Sequence, residues 1–127
     1  MEKDFDSWNK VKKKLNSRQK PVYAHSREVW WCSLGINIGT EIDGKDQNFE
    51  RPVIVIKIYN SESIIVLPIT TKNKIDSFHF QIEVKQKVSW VKLTQPRMIS
   101  SKRLLRKIGL LNKNSFSSLI AEWKKLL

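Results

Sequence analysis

The sequence has 127 residues, a formal net charge of +12 at pH 7 and 40% hydrophobic residues. A chain of this length forms one domain that can bury a core without disulfides or metals, and its apolar content excludes a disordered chain. Cys32 is the only cysteine, which excludes an intramolecular disulfide and is typical of a reducing compartment. No apolar run approaches the roughly 20 residues of a membrane span, and the first residues lack a signal peptide's apolar stretch. We therefore expect a cytoplasmic protein without a membrane partner.

The positive charge is concentrated at the two ends of the chain. Residues 1–27 hold eight basic and three acidic residues (+5), residues 28–96 hold eight of each (0), and residues 97–127 hold eight basic and one acidic residue (+7). An excess this large attracts polyanions such as nucleic acid, an anionic membrane or an acidic protein, although charge can also serve solubility alone. We favour a polyanionic partner that is attracted by the positive charge of the two chain ends.

Residues 1–26 are predicted to form a basic amphipathic helix and a linker, ahead of a domain that spans residues 27–127. Apolar side chains recur at helical spacing in this segment: Phe5, Trp8, Val11 and Leu15. Asp4 or Asp6 suits the first turn, lysines occupy intervening positions, and Pro21 ends the pattern. The helix either packs on the domain, which we favour, or serves as a basic arm for nucleic acid, a partner or a membrane surface.

The middle of the chain predicts short β-strands. Five segments rich in β-branched and aromatic residues carry the signal: 29–34, 52–58, 63–69, 78–84 and 88–93. The second and third are almost wholly apolar, so we expect both faces of each to be buried, and residues 59–62 fit a hairpin connection between them. Five short strands within about 65 residues indicate a small antiparallel barrel.

Helices are predicted again towards the C-terminus, which makes the fold class α+β. Ser100 fits the cap of a short helix that runs through Lys107 and is ended by Gly109. Asn114 or Ser115 fits the cap of a last helix. Its apolar stripe consists of Phe116, Leu119, Ile120, Trp123 and Leu127. The stripe suits packing on the barrel or a dimer face equally.

A long loop and a series of short motifs follow one another in a characteristic order. The loop at residues 35–50 contains three glycines whose spacing matches neither a dinucleotide fingerprint nor a P-loop. The motifs are Trp30-Trp31-Cys32-Ser33-Leu34-Gly35, then Gly39 and Glu41, Arg51-Pro52, Leu67-Pro68-Ile69-Thr70-Thr71, Gln95-Pro96-Arg97 and Lys102-Arg103-Leu104. Over residues 28–127 this order resembles the MazF/PemK family of type II toxin–antitoxin toxins.

The resemblance implies an SH3-like antiparallel barrel with helices, of the MazF/PemK/CcdB type, that forms a homodimer. It also implies a metal-independent endoribonuclease without cofactors, which cuts single-stranded RNA at short sequence motifs and is held inactive by a cognate acidic antitoxin. The family's key arginine and threonine fall on Arg51 and Thr70. The long loop corresponds to the mobile loop that covers the RNA site.

Arg51 and Thr70 suit RNA cleavage by attack of the 2′-OH on the adjacent phosphate. The planar guanidinium of Arg51 matches phosphate oxygens and stays charged, which favours electrostatic stabilisation over a role as base. Thr70 can donate a hydrogen bond to the same phosphate or orient the 2′-OH. Without the resemblance, a solvated arginine before a strand and a strand-end hydroxyl bonded to backbone would be the better interpretations.

Eight further residues are expected to bind RNA: Gly39, Glu41, Lys45, Thr71, Lys72, His79, Gln95 and Arg97. His79 and Arg97 also fit structural roles, in a strand and against the segment that follows. No Cys/His cluster has metal-ligand spacing, and Cys32 is expected to be a buried apolar residue. Since neighbours on a strand face opposite ways, only one of Trp30 and Trp31 should enter the core.

Three features depart from the family pattern. Residues Lys45 to Glu50 are additional in the loop, while Thr94 and Thr40 replace an aspartate and a histidine on which one branch of the family relies. Two other functions stay open. One is a gyrase-binding toxin of the same barrel, weakly supported by Trp123 and the terminal leucines, and the other is a noncatalytic RNA-binding barrel. The Arg-Pro and Pro-x-Thr motifs favour the endoribonuclease.

Overall fold

The structure, a computed structural model, describes residues 3–18 and 20–127. Its elements in chain order are α1 (Phe5–Asn16), β1 (Glu28–Ser33), β2 (Glu50–Ile58), β3 (Ser63–Thr70), β4 (His79–Val84), β5 (Lys87–Lys92), β6 (Arg97–Ser100), a 3-10 turn (Ser101–Arg103), β7 (Leu104–Leu110) and α2 (Lys113–Lys125). The five predicted strands are confirmed as β1 to β5, with the hairpin connection between β2 and β3. No helix among the described residues is long and apolar enough to cross a membrane.

The strands form an antiparallel sheet in the order β4-β5-β3-β2-β1-β7, with β6 paired to β3. One edge of β3 pairs with β2, while the other pairs with β6 through residues 63–66 and with β5 through Ile69 and Thr70. The outer strands β4 and β7 approach each other, since a Cβ added at Gly109 would lie 2.7 Å from Val84 Cγ1. The described sheet is therefore barrel-like without closing, in agreement with the predicted α+β class.

The helix predicted from Ser100 to Lys107 is wrong. Ser100 does cap a turn, because its Oγ accepts a hydrogen bond from the Lys102 amide (3.2 Å), but the turn is a single 3-10 turn. The chain then enters β7, which pairs with β1. Two register shifts between β1 and β7 disrupt the alternation of buried and exposed residues, so this segment of sequence lacks the period of a strand.

The C-terminal helix α2 is present, but its predicted cap is wrong. The helix begins at Lys113, and the capping residue is Asn112 rather than Asn114 or Ser115. Asn112 Oδ1 accepts a hydrogen bond from the Ser115 amide at 2.8 Å, which satisfies one of the free donors of the first turn.

Two hydrophobic clusters lie on the two faces of β2 and β3. Ile54 and Ile56 face the cluster that α2 covers through Leu119, while Val53 and Val55 face the other cluster. The expected burial of both faces is thereby confirmed. Four residues of the predicted stripe, Phe116, Leu119, Ile120 and Trp123, pack on the sheet, which is the first of the two predicted uses. The inclusion of Leu127 is wrong, because it follows the helix and is exposed.

The N-terminal helix α1 packs on the domain, as its sequence favours. Asp4 caps the helix by accepting a hydrogen bond from the Ser7 amide (3.0 Å). Trp8 and Leu15 are buried, whereas Phe5 is half exposed. The lysines between these positions are exposed, so the helix presents a basic outer face.

The first residue of β1, Glu28, is a buried carboxylate surrounded by donors. It accepts hydrogen bonds from the His25 amide (2.8 Å), Trp30 Nε1 (3.0 Å) and Lys107 Nζ (3.0 Å). Burial alone raises the pKa of Glu28, but these three partners outweigh it and lower the pKa from 4.5 to about 2. The carboxylate thus stays charged inside the fold and ties β1 to β7.

We expect Glu28 to make stability depend on pH. Because its folded pKa lies below its unfolded value, its contribution is complete above pH 4.5 and is lost as the pH falls towards about 2. A shift of this size corresponds to roughly 3 kcal/mol. In chemical denaturation, Glu28→Gln should flatten the acid decline of the unfolding free energy, while Glu83→Gln, at an exposed strand position, should preserve it. The same acid decline in both variants would contradict this role.

Candidate functional site

A cleft of about 870 Å³ opens between the loop at residues 35–49, the start of β2, the end of β3 and strand β5. Both predicted catalytic residues, Arg51 and Thr70, line this cleft. Four predicted RNA-binding residues also line it: Lys45, Thr71, Lys72 and Gln95. The other four lie outside its lining: Gly39, Glu41, His79 and Arg97. The fold thus brings together six of the ten residues singled out in the sequence.

Arg51 is the second residue of β2 and lies where the loop joins the sheet. It is half-buried, and its Nε donates a hydrogen bond to the backbone carbonyl of Asp43 at 2.8 Å. Burial lowers the pKa of Arg51, and the nearby Asp43 carboxylate acts in the opposite direction. The bond uses one of the five guanidinium donors and fixes the direction of the others.

Thr70 is the last residue of β3 and is buried, with 6% of its surface exposed. Its Oγ1 accepts a hydrogen bond from the Lys72 amide at 3.2 Å, so the chain turns immediately after the strand. A hydroxyl that accepts in this way still has its own hydrogen to donate. The backbone contact considered as the structural alternative is therefore present, and it is compatible with donation into the cleft.

Lys74 and Lys92 are cleft residues that the sequence did not reveal. Burial lowers the pKa of Lys92, and the positive charges of Arg51, Lys74 and Lys72 lower it further. Lys92 is therefore close enough to these three cations to be repelled by them. In sequence, Lys92 looks like an ordinary exposed strand residue, and only the pairing of β3 with β5 brings its strand beside Thr70.

The cleft is more positive than the neutral charge of residues 28–96 suggests. Its basic lining residues are Lys45, Arg51, Lys72, Lys74, Lys87 and Lys92. Its acidic lining residues are Asp43, Asp46 and Glu50. Two of these acids pair with cations from the ends of the chain: Lys3 Nζ lies 3.0 Å from Asp43 Oδ2, and Arg106 makes two hydrogen bonds to Glu50 (2.8 and 3.1 Å). The terminal charges therefore neutralise acids at the cleft.

The loop at residues 35–49 has a defined conformation held by its own polar groups. The Asn37 side chain donates to the carbonyls of Leu34 (3.2 Å) and Ile42 (2.8 Å), and the Gly44 amide donates to the Gly35 carbonyl (2.7 Å). A Cβ added at Gly44 would lie 1.5 Å from the Phe49 carbonyl oxygen, so glycine is required for this close approach.

The side chains of Gln95 and Arg97 form hydrogen bonds with backbone groups in or next to the loop. Gln95 Oε1 accepts a hydrogen bond from the Ile42 amide (2.7 Å), and its Nε2 donates to the Thr40 carbonyl (3.3 Å). Arg97 Nη1 donates to the Leu34 carbonyl at 3.1 Å. The structural alternative considered for Arg97, packing against a helix that follows it, is wrong, because the partner is the Leu34 carbonyl just before the loop and the following segment is mainly strand.

Glu41 and His79 have local partners. Glu41 Oε1 accepts a hydrogen bond from the Ile38 amide (3.0 Å) within the loop. His79 Nδ1 lies 2.7 Å from Asp76 Oδ1, and the imidazole is mostly buried beside the start of β4. The contact with Asp76 and the burial of the His79 side chain fit a structural role for this histidine.

The adjacent tryptophans have the two environments that strand alternation predicts. Trp30 packs against the core, while Trp31 lines the cleft with the Arg106 guanidinium 5.0 Å from its ring centroid. Trp31 is therefore the tryptophan of the pair that lies at the cleft. Phe49 instead packs edge to face on Trp8 (centroids 5.7 Å apart).

The described residues contain no group of three or more His, Cys, Asp or Glu side chains that could hold a metal ion. Cys32 is fully buried, as expected, and burial raises the pKa of its thiol to about 12. A thiol in this state is a poor nucleophile and acts as a small core residue.

The profile of the family described as PemK-like, MazF-like toxin of type II toxin–antitoxin system matches residues 25–127. The chain belongs to this family. The match begins after α1, so the N-terminal helix lies outside the segment that carries the family pattern. No curated protein matches the chain.

Solved structures of similar fold include MazF toxins. MazF (Form-I) of Deinococcus radiodurans shares 18% identity at a TM-score of 0.69, over 83% of this chain and 96% of that chain. The Mycobacterium tuberculosis toxin MazF-mt6 shares 18% identity at 0.59, over 78% and 94%. A mycobacterial endoribonuclease in complex with its cognate antitoxin shares 12% identity at 0.60, over 82% and 97%. At these identities the likeness concerns the fold, and it confirms the predicted MazF-type architecture.

The additional loop residues, Lys45 to Glu50, form a tight turn. Lys45 and Glu50 exchange two backbone hydrogen bonds of 2.8 and 2.7 Å, while Asp46 and Phe49 adopt positive φ angles of 66° and 51°. At the end of this turn, Phe49 packs on Trp8 of α1 and does not line the cleft. The two threonines at departing positions have no titratable group to offer: Thr40 lines the cleft, and Thr94 is exposed.

We expect Gly44→Ala to disturb the loop more than Gly39→Ala. The Cβ at residue 44 would overlap backbone atoms, whereas at residue 39 it would meet nothing within 4 Å and only the positive φ of 58° would oppose it. Overlap of this kind typically costs about 1–3 kcal/mol. Unfolding free energies and amide exchange of residues 35–49 measure the difference, and equal effects of the two variants would contradict the described loop conformation.

Proposed function

We propose that the chain is the endoribonuclease toxin of a type II toxin–antitoxin system, which cuts single-stranded RNA at short sequence motifs without a metal. The observation that carries the proposal is the cleft in which Arg51 and Thr70 lie among lysines, in a chain of the PemK/MazF family. Phosphate groups suit such a cleft because several cations line it together with hydroxyl donors.

In the proposed reaction, the 2′-oxygen of a nucleotide attacks the adjacent phosphorus and the bond from phosphorus to the 5′-oxygen breaks. The products are a 2′,3′-cyclic phosphate and a 5′-hydroxyl, with the proton lost by the 2′-OH balanced by one gained at the 5′-oxygen. Negative charge grows on the phosphate oxygens in the transition state. The positive charges of Arg51 and Lys92 stabilise this negative charge. The Thr70 hydroxyl donates a hydrogen bond to a phosphate oxygen or orients the 2′-OH.

The same cations explain how an acidic antitoxin would inhibit the toxin. Carboxylates of an extended or disordered segment would satisfy the lysines of the cleft and exclude RNA from it. A complex of MazE with MazF of Deinococcus radiodurans, similar in fold at a TM-score of 0.63 and 15% identity, supports a protein partner of this kind. We further propose that the protein is cytoplasmic and forms a homodimer. Light scattering would detect the dimer as a particle of twice the 14.9 kDa chain mass.

The gyrase-binding alternative has less support in the structure. Of the residues behind it, Trp123 packs against the cluster beneath α2, while Leu126 and Leu127 are exposed. The positions of Arg51 and Thr70 in the cleft favour the endoribonuclease. The noncatalytic RNA-binding barrel differs from the proposal only in the chemistry, so a cleavage assay separates the two.

We expect purified protein to cut long single-stranded RNA at discrete positions in the presence of EDTA. Arg51→Ala should lower kcat/KM by about 100-fold or more, because it removes a charge aimed at the transition state. Thr70→Val, which keeps the shape and removes the hydroxyl, should also impair cleavage. Lys57→Gln is the matched control, since Lys57 is an exposed cation of the same strand outside the cleft. A 2′-deoxy substitution at the cut site should block cleavage, and RNA left intact by folded protein would refute the proposal.

We expect Lys92 to contribute to RNA binding in a manner that depends on salt and pH. Lys92→Gln should reduce the slope of log affinity against log salt by about 0.7, the value for one lost phosphate contact on a single strand. Because its pKa is lowered, Lys92 loses its charge, and binding weakens, at a lower pH than for an ordinary lysine. Fluorescence anisotropy with an RNA that carries a 2′-deoxy substitution at the cut site avoids cleavage and keeps Arg51, which helps to lower the pKa of Lys92. If Lys92→Gln and Lys57→Gln have the same slope and pH profile, Lys92 has no such role.

A further inference from the structure

The N-terminal helix α1 packs on both ends of the cleft loop through Trp8. At the start of the loop, a Cβ added to Gly35 would lie 2.1 Å from the Trp8 ring, so the indole rests directly on the Gly35 backbone. At the end of the loop, Phe49 packs edge to face on Trp8 with an interplanar angle of 62°. Trp8 is 5% exposed and carries the Arg103 guanidinium 5.5 Å from its ring centroid.

Lys3, just before α1, binds the middle of the same loop. Its Nζ lies 3.0 Å from Asp43 Oδ2 and donates hydrogen bonds to the carbonyls of Asn37 and Gly39. The other Asp43 carboxylate oxygen accepts a hydrogen bond from the Asn37 amide (2.6 Å), and the Asp43 carbonyl accepts from Arg51 Nε (2.8 Å). Asp43 therefore links Lys3 to Arg51, because it contacts both residues.

We propose that residues 3–16 form a strap that holds the cleft loop and positions Arg51, with Lys3 and Trp8 as positioning residues. The proposal rests on the proposed RNA cleavage and names residues that it did not include. The strap precedes the segment matched by the family, and it contacts Phe49, which belongs to the additional turn of the loop. The helix outside the family match thus packs on the loop turn that the resemblance marks as additional.

Lys3 acts on the cleft in two ways. It fixes Asp43, and through the Asp43 carbonyl it fixes the direction of the Arg51 guanidinium. It also neutralises a carboxylate that lines the cleft and would otherwise repel phosphate. Misplacement of a catalytic group lowers kcat, whereas an uncompensated carboxylate weakens RNA binding and raises KM.

The strap can be tested by a substitution that leaves the core intact. The side chains of Lys3 and Asp43 are 29% and 32% exposed, so Lys3→Gln should have little effect on folding. Lys10→Gln is the matched control, because it removes the same charge from an exposed position of α1 that forms no ion pair with the described loop residues.

We expect Lys3→Gln to lower kcat on a short RNA by about tenfold or more. Its melting temperature should stay within about 2 °C of the parent. Lys3→Arg should restore kcat, because it keeps the charge and the donors, and Lys10→Gln should match the parent. A parental kcat for Lys3→Gln would overturn the proposal. Equal losses in Lys3→Gln and Lys10→Gln would also overturn it, since they would indicate general attraction of RNA by charge.

Amide hydrogen exchange tests the strap without any cleavage. The Ile42 and Gly44 amides are hydrogen-bonded to Gln95 and Gly35, and they should exchange faster in Lys3→Gln and in Trp8→Ala than in Lys10→Gln. If the parent protein does not cut RNA, the proposed function fails while this measurement still decides whether the strap exists. Unchanged exchange in Lys3→Gln would refute the strap even in an active enzyme.

Discussion

Strand β2 is paired with β1 along one edge and with β3 along the other, while its side chains are buried on both faces. Burying each of its four central β-branched side chains contributes about 1.5–3 kcal/mol, so its position is among the most strongly fixed in the chain. Arg51 continues the row of Val53 and Val55 at the end of this strand. The loop reaches the same cluster through the buried Ile42. The cleft is therefore built at the exposed end of a rigid element.

This rigidity allows like charges to be held close together. Arg51, Lys74 and Lys72 repel the Lys92 ammonium and add to the lowering of its pKa that burial causes. Arg51 and Lys92 stay in place because the strands that carry them, β2 and β5, are fixed by packing, whereas Lys72 and Lys74 lie in the connection between β3 and β4. A bound polyanion would relieve the repulsion, whether it is RNA or an acidic protein segment. Substrate and inhibitor would thus compete for the same source of binding energy, and the affinity of both would fall with added salt.

The sequence predicted the strands whose apolar composition reflects burial on both faces. It did not predict features that depend on which strands pair and in which register. Strands β2 and β3 are apolar because both faces are buried, so their sequence is unambiguous. Strand β7 was predicted as a helix because Ser100 caps a real turn and the shifted register with β1 removes the alternation. Arg51 and Thr70 were predicted as catalytic residues from the order of motifs, and both line the cleft. Lys92 was missed because its place beside Thr70 depends on a strand pairing that no local pattern encodes.

The N-terminal charge has two parts that composition cannot separate. The lysines on the outer face of α1 are exposed, so their charges attract a polyanion through long-range electrostatics. Lys3 is instead paired with Asp43 at the cleft. In the proposed strap, the loop is ordered before RNA binds, so less conformational entropy is lost on binding than with a free loop. A loop fixed in this way also adapts less to different bases. The strap would therefore favour fast cleavage of a narrow set of sequences over broad recognition.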